Sequence, residues 1–270
     1  MQLSKHQTNS GARWSADGQF LVPGVSLGLI LSTPSTQMPG LIASLVTGEP
    51  ANGTLLAPVD PMQEVWACGV TYLRSRDARM AESTQASIYD RVYSADRPEL
   101  FYKSTGWRVV GDGANIRIRA DSKWNVPEPE FALVINSAGE IVGYTAANDV
   151  SSRDIEGENP LYLPQAKSYD GACALGRSIE LLDVSLMKDI SIEVEIDRDG
   201  QSVFKGATST AQLKRSLNEL AGYLFRELTH PNGALLMTGT GVVPADSFSL
   251  VSGDTVKIRV GEVELSNTVA

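Results

Sequence analysis

The stretch from Val126 to Asp149, VPEPEFALVINSAGEIVGYTAAND, constrains this chain more than any other. Phe131–Asn136 and Ile141–Thr145 are rich in aromatic, β-branched and aliphatic residues, and Ser137-Ala138-Gly139-Glu140 between them is a turn signal. The pattern predicts a β-hairpin. If Asn136 faces Ile141, the same register carried to the open end sets Glu128 opposite Asp149. Glu130 joins them, because residues i and i+2 of an extended strand share a face. Pro127 and Pro129 favour extended backbone and cannot donate to a ladder, so they belong at an edge or a strand start. Like charges placed opposite one another destabilise a sheet. Either the three acids decorate a solvated edge, or a hard divalent cation compensates them. Oxygen-only ligation suits Mg²⁺ or Mn²⁺, with Ca²⁺ as a further alternative, and leaves positions for waters or a chelating substrate.

A chain of 270 residues buries a sizeable core, as one large domain or one domain with a small extension. The net charge of -9, the pI near 4.8 and the lack of a basic block argue against nucleic acid as a partner. Cys68 and Cys173 have no CxxC spacing and are too few for a disulfide framework, which fits a reducing cytoplasm. No basic segment leads into an apolar one, and Phe20–Leu31 is interrupted by Pro23, Gly24 and Gly28, so the expectation is a cytoplasmic protein with no membrane partner. His6, in the terminus, and His230, beside Pro231, are the two histidines, so a structural zinc site, a two-His iron centre or a Ser-His-Asp triad would need histidines this sequence hardly has.

Residues 1–60 are rich in Gly, Pro, Ser and Thr and read as a small β-rich N-terminal extension with a short helix at Leu41–Val46, linked through Ala57–Pro61 to a main domain over 61–270. Val65–Val70 reads as a buried strand. Thr71–Arg97 is polar and carries Arg74, Arg76, Arg79, Arg91 and Arg97; it is either a solvated helical face or a cover whose arginines meet an acid substrate. Glu99–Lys103 and Ile116–Arg119 read as strands, and Ser191–Gly206 as a hairpin turning at Asp199-Gly200. Leucines at 213, 217, 220, 224 and 228 predict a helix over Thr210–Leu228 capped by Ser209 or Thr210. Lys167 follows Asp149 closely enough in sequence to fold back over the acidic face. Gly239-Thr240-Gly241 is a plain turn or a place where backbone and hydroxyl approach a ligand, and no phosphate-binding GxxxxGK[ST] loop is present.

Five segments together, GVTYLRSR (69–76), RPELFYKS (97–104), PEPE (127–130), NDVSSRDIEGENPLYLPQAKSYDG (148–171) and TGTGVVP (238–244), strongly resemble the fumarylacetoacetate hydrolase superfamily over residues 61–270. The run ENPLYLPQxK is similar to its 2-keto-3-deoxy-D-arabinonate dehydratase branch. The resemblance implies an α+β, mostly β fold, a mixed β-roll or sandwich with a few helices. It also implies Mg²⁺ on Glu128, Glu130 and Asp149, catalytic roles for Lys167 and Glu99, and substrate contacts at Thr240 and Arg153, to which the cover adds Ser75 and Arg76. Relatives are commonly dimers or tetramers, so a homo-oligomer is expected. One departure matters. Hydrolases of the superfamily carry NYxxHxxE after the first strand, and Thr71, Ser75 and Ala78 stand here for its Asn, His and Glu. Without that water-activating pair, the expected activity is Mg²⁺-dependent dehydration of a 2-keto-3-deoxy sugar acid. The alternatives are acylpyruvate hydrolysis or oxaloacetate decarboxylation on the same metal, and a non-catalytic metal-binding protein.

Overall fold

The computed structural model describes residues 1–75, 80 and 86–270. Among these, a large mixed sheet runs Val46–Pro50 (β4), Gln19–Leu21 (β3), Gly11–Ala16 (β2), Gln2–Thr8 (β1), Ile179–Leu181 (β14), Ile141–Asp149 (β11), Pro129–Ile135 (β10), Ala234–Met237 (β17), Glu64–Gly69 (β6) and Glu99–Thr105 (β7). Thr54–Leu56 (β5) pairs with β1, and Cys173–Leu175 (β13) with β11. A second sheet orders Gln201–Ser209 (β16), Ser191–Arg198 (β15), Thr255–Val260 (β18), Val263–Val269 (β19) and Asn115–Ile116 (β8). Asn125–Val126 (β9) and Ser151–Ser152 (β12) form a short ribbon of their own. The mostly β expectation is met.

β10 is buried at every position, as a strand covered on both faces must be. Its alternation sorts the core. Phe131, Leu133 and Ile135 point toward the second sheet, into a cluster with Ile192, Val194, Ile196, Ile258 and Val260. Ala132 and Val134 point the other way, against Leu3, Trp14, Leu27, Ile30, Leu31 and Ile42. Phe131 stacks on Tyr144 of β11 with ring centroids 4.9 Å apart. Burying one such side chain contributes roughly 1.5–3 kcal/mol.

The hairpin register is the expected one at its open end: Pro129 pairs with Asn148, and the Asp149 N–H donates to the Glu128 carbonyl at 2.9 Å. Near the turn it differs. A bulge between Val134 and Ile135 pairs Ile135, not Asn136, with Ile141, because the Asn136 side chain accepts from the N–H groups of Ala138 and Glu140 and organises the loop.

Other elements are shorter than their sequence patterns suggest. The leucine-rich segment is helical only over Leu217–Leu224 (α6). Ser216, not Ser209 or Thr210, is its N-cap, accepting from the Glu219 N–H at 3.1 Å, and Leu213 is extended and bridged to Tyr72. The strand expected over Ile116–Arg119 stops at Ile116. Met38–Leu45 (α2) answers the short helix expected at Leu41–Val46, starting three residues earlier, whereas the helix Leu27–Leu31 (α1) makes the N-terminal residues less β-rich than expected. Ala86–Ser94 (α3) supplies a further helix within the polar segment.

Topology gathers the site. β6 runs parallel to β17, and β17 antiparallel to β10. The ends of β6, β11 and β17 and the starts of β7 and β10 therefore meet at one end of the large sheet. Helices Arg153–Glu158 (α4) and Leu163–Lys167 (α5) lie beside that end.

Candidate active site

Glu128, Glu130 and Asp149 each present a carboxylate oxygen so that the three oxygens lie within 4.8 Å of one another, and all three residues are buried. This excludes the solvated-edge reading. Buried carboxylates demand compensation, and three cations supply it. The Lys167 ammonium uses its three donors on Glu128 Oε2 at 2.8 Å, Asp149 Oδ2 at 2.9 Å and Ser151 Oγ at 2.6 Å. An Arg153 terminal nitrogen stands 3.0 Å from Glu128 Oε1, and Lys103 Nζ stands 2.5 Å from Asp149 Oδ1.

Glu130 has a different partner, the Gly239 N–H, which donates to Oε2 at 2.6 Å. Burial pushes the Glu130 carboxyl well above the usual range, the charges of Asp149 and Glu128 add to this, and Lys167 and the Gly239 N–H oppose it. A cation bound here offsets that cost and gains all-oxygen ligands of the type Mg²⁺ prefers, so the residues present fit that metal.

Glycine is required at 239. Its φ is +92°, and a Cβ there would overlap Thr71 Oγ1, which itself donates to the Thr238 carbonyl at 2.5 Å. Gly69 answers a second constraint, because a Cβ on it would overlap the Glu99 carboxylate laid across the end of β6. The next residue, Val70, takes φ 54°, a strained conformation for a β-branched side chain.

Glu99, Ser75, Thr240 and Lys167 line one cavity with Glu128, Glu130, Glu156 and Phe101. That cavity offers about 20 Å³ to the centre of a water-sized sphere, enough for one water or one cation. Entry of an organic acid requires its walls to part. A larger groove of about 820 Å³ crosses the outer face of the second sheet, but its charged groups pair with one another, Arg259 with Glu193 and Lys205 with Glu195. It brings no comparable set of groups together.

The structure thus places Glu128, Glu130, Asp149, Lys167, Glu99, Thr240, Ser75 and Arg153 around one point, with Arg153 on the Glu128 carboxylate and the Thr240 hydroxyl donating to the Val242 carbonyl at 3.0 Å. Arg76 and Ala78 lie outside the described residues. Sequence reasoning passed over Lys103, Glu156 and Ser151, and it singled out Gly239 only within the Gly-Thr-Gly stretch that offers its backbone to a ligand. Two of these carried a signal: Lys103 shares a strand face with Glu99 and Phe101, and Glu156 lies three residues after Arg153 on one face of α4.

Residues 65–270 match the family described as "Fumarylacetoacetate (FAA) hydrolase C-terminal". The chain is 49% identical over 214 residues to a probable 2-keto-3-deoxyxylonate dehydratase of Haloferax volcanii, covering 78% of this chain and 73% of that one. It is 42% identical over 211 residues to the 2-dehydro-3-deoxy-D-arabinonate dehydratase of Saccharolobus solfataricus, covering 76% and 70%. A solved structure of 2-keto-3-deoxy-D-arabinonate dehydratase complexed with magnesium and 2,5-dioxopentanoate superposes with a TM-score of 0.85 at 34% identity, over 100% of this chain and 98% of that one. With its carboxylate cluster at the mouth of a mixed β fold and these relatives on either side of it, the chain belongs to the fumarylacetoacetate hydrolase family.

Proposed function

We propose that this chain is a Mg²⁺-dependent hydro-lyase that dehydrates a 2-keto-3-deoxy pentonate, of the arabinonate or xylonate type, to 2,5-dioxopentanoate. The observation that carries the reading is the buried Glu128, Glu130 and Asp149 cluster with Lys167 and Glu99 at the same cavity. The dehydratases at 49% and 42% identity support it.

Glu128, Glu130 and Asp149 would hold the metal. What a bound Mg²⁺ supplies there is polarisation of the 2-oxo group, a Lewis-acid contribution of several kcal/mol that acidifies the C3 protons. Lys167 or Glu99 removes one of these protons, and the other group carries a proton to the departing C4 hydroxyl, which leaves as water. Proton shifts along C3 to C5 then convert the hydroxy-enone to the 5-aldehyde. To act as the base, Lys167 must first leave the carboxylates that hold it and shed a proton. Thr240, Ser75 and Arg153 belong to the substrate side of the proposal, Arg153 by orienting Glu128.

Dehydration is favoured over hydrolysis by what stands at the cavity. Ser75 occupies the position of the hydrolase histidine, and no histidine is among the described residues lining the cavity. His230 lies elsewhere, beside Glu64 and Trp66. Residues 1–60 contribute no described lining residue, consistent with an N-terminal part that supports a catalytic part over 61–270. A cytoplasmic location and assembly into a dimer or tetramer belong to the same proposal; fractionation and light scattering test them. No helix among the described residues is long and apolar enough to cross a membrane.

The test is a Mg²⁺-dependent assay on 2-keto-3-deoxy-D-arabinonate and its epimer, following 2,5-dioxopentanoate and pyruvate, with Glu130→Gln as the control. Semialdehyde that the variant fails to form is the expected result. Pyruvate in its place would overturn the reading in favour of acylpyruvate or oxaloacetate chemistry.

A further inference from the structure

Lys103 does not line the cavity, yet its side chain is completely enclosed, at 0% exposure. It stands on β7 two residues beyond Phe101 and four beyond Glu99, on the same strand face, and reaches behind the carboxylate cluster. Its ammonium donates to the Val150 carbonyl at 3.2 Å and to the Lys167 carbonyl, and its charge stands as an ion pair 2.5 Å from Asp149 Oδ1. The last contact matters because Lys167 ends α5, where a carbonyl has no intrahelical donor and needs an outside one. One side chain therefore grips both an oxygen of Asp149 and the backbone from which the Lys167 side chain projects. It leaves the other oxygen, Asp149 Oδ2, facing Glu128 and Lys167.

We propose that Lys103 is a positioning residue for both halves of the site: it turns Asp149 Oδ2 toward the cation, and it fixes the end of α5 so that Lys167 is aimed at the substrate. It acts through these two groups and touches no substrate itself. Its consequence for the rate rests on the dehydratase reading; its consequence for metal binding does not.

The two ways a buried ammonium acts here have opposite signs. As a charge 2.5 Å from a metal ligand it repels a cation, so its removal by Coulomb's law alone would tighten metal binding. As an orienting group behind a ligand it strengthens binding, and losing such a partner typically weakens it about 10–100-fold. The proposal takes the second sign.

Lys103→Met keeps the length and apolar bulk of the side chain and removes its charge and donors. Mn²⁺ affinity of the purified metal-free protein, measured by calorimetry or electron paramagnetic resonance, is expected to weaken by about 10–100-fold. At saturating Mn²⁺, kcat on the sugar acid is expected to fall while KM stays close to wild type, because the group does not contact substrate. Lys103→Gln, which restores a donor without the charge, is expected to lose less Mn²⁺ affinity than Lys103→Met, and it carries the test if the methionine variant fails to fold by circular dichroism. Unchanged or tighter Mn²⁺ binding in a folded variant would overturn the proposal, as would a defect confined to KM. If the wild-type protein turned over no sugar acid, the functional reading would fall while the Mn²⁺ comparison still decided the role of Lys103.

Discussion

Gly239→Ala probes how the loop after β17 holds Glu130. At φ +92° an L side chain costs about 1–2 kcal/mol. The new Cβ would also overlap Thr71 Oγ1 and lie 3.2 Å from the Cys68 carbonyl. The overlap can be relieved in two ways. Thr71 can move, which breaks its 2.5 Å bond to the Thr238 carbonyl and costs about 1 kcal/mol. Alternatively the peptide can rotate, which takes the Gly239 N–H away from the Glu130 carboxylate and costs about 1.5–3 kcal/mol for a hydrogen bond to a charged group. Strain plus either loss comes to about 2–5 kcal/mol, a fall in Tm on the order of 5–10 °C. The assay is thermal and urea unfolding of Gly239→Ala, Thr71→Ala and the double variant, with Mn²⁺ affinity measured on each. Thr71→Ala removes the atom that the new Cβ strikes, so the double variant should be more stable than the sum of the single effects by about 1 kcal/mol or more. Additivity within about 0.5 kcal/mol would refute the steric argument. Unchanged Mn²⁺ affinity in folded Gly239→Ala would refute the role of its N–H in holding Glu130.

Two further expectations follow from buried charge. Arg153→Met takes the guanidinium from Glu128 Oε1 while Lys167 still pairs with Oε2, so it should cost about 1.5–3 kcal/mol in urea unfolding, the range for a lost hydrogen bond to a charged group, and less than the ~3–5 kcal/mol of a wholly uncompensated buried charge; a variant as stable as wild type would contradict the pairing. Burial lowers the His230 imidazole below 6.5, with Glu64 opposing the shift more weakly. The unfolded chain then binds the extra proton first, so this contribution to stability is complete above pH 6.5 and is lost as pH falls from there through the depressed folded value. His230→Gln should flatten the decline in unfolding free energy on the acid side of pH 6.5, and a profile identical to wild type would show that His230 does not contribute.

The acidic hairpin was legible because its signals are local. Alternation and two prolines indicate which face Glu128, Glu130 and Asp149 share, and the register expected for them is present from Pro129 to Val134 although it breaks at the turn. The leucine helix was misjudged for a reason of the same kind: leucines at helical spacing run through residues that tertiary contacts hold extended, as when Leu213 bridges to Tyr72. The shell around the acids was harder to read. Lys103 comes from a strand and Gly239 from a loop, both far away in the chain; the Gly239-Thr240-Gly241 stretch reads as a place where backbone meets a ligand, but neither segment announces that Lys103 will lie behind Asp149 or that the Gly239 N–H will meet Glu130. A buried lysine on a strand face otherwise carrying Glu99 and Phe101 was the available clue, because such a charge must find a partner.

The bulge between Val134 and Ile135 separates the turn from the acids. Beyond it, β10 is clamped by β17 on one side, and β11 by β13 and β14 on its other, so the phase of the acidic residues is set laterally and not by the turn. Insertions or deletions among residues 136–140 are absorbed within the loop and leave the acids where they are. Losing one residue between Phe131 and Val134 would instead reverse the facing of every side chain on one side of the cut, sending Glu128 and Glu130 toward the opposite face of the sheet. The same hairpin is thus permissive at its tip and intolerant of any change in length a few residues away.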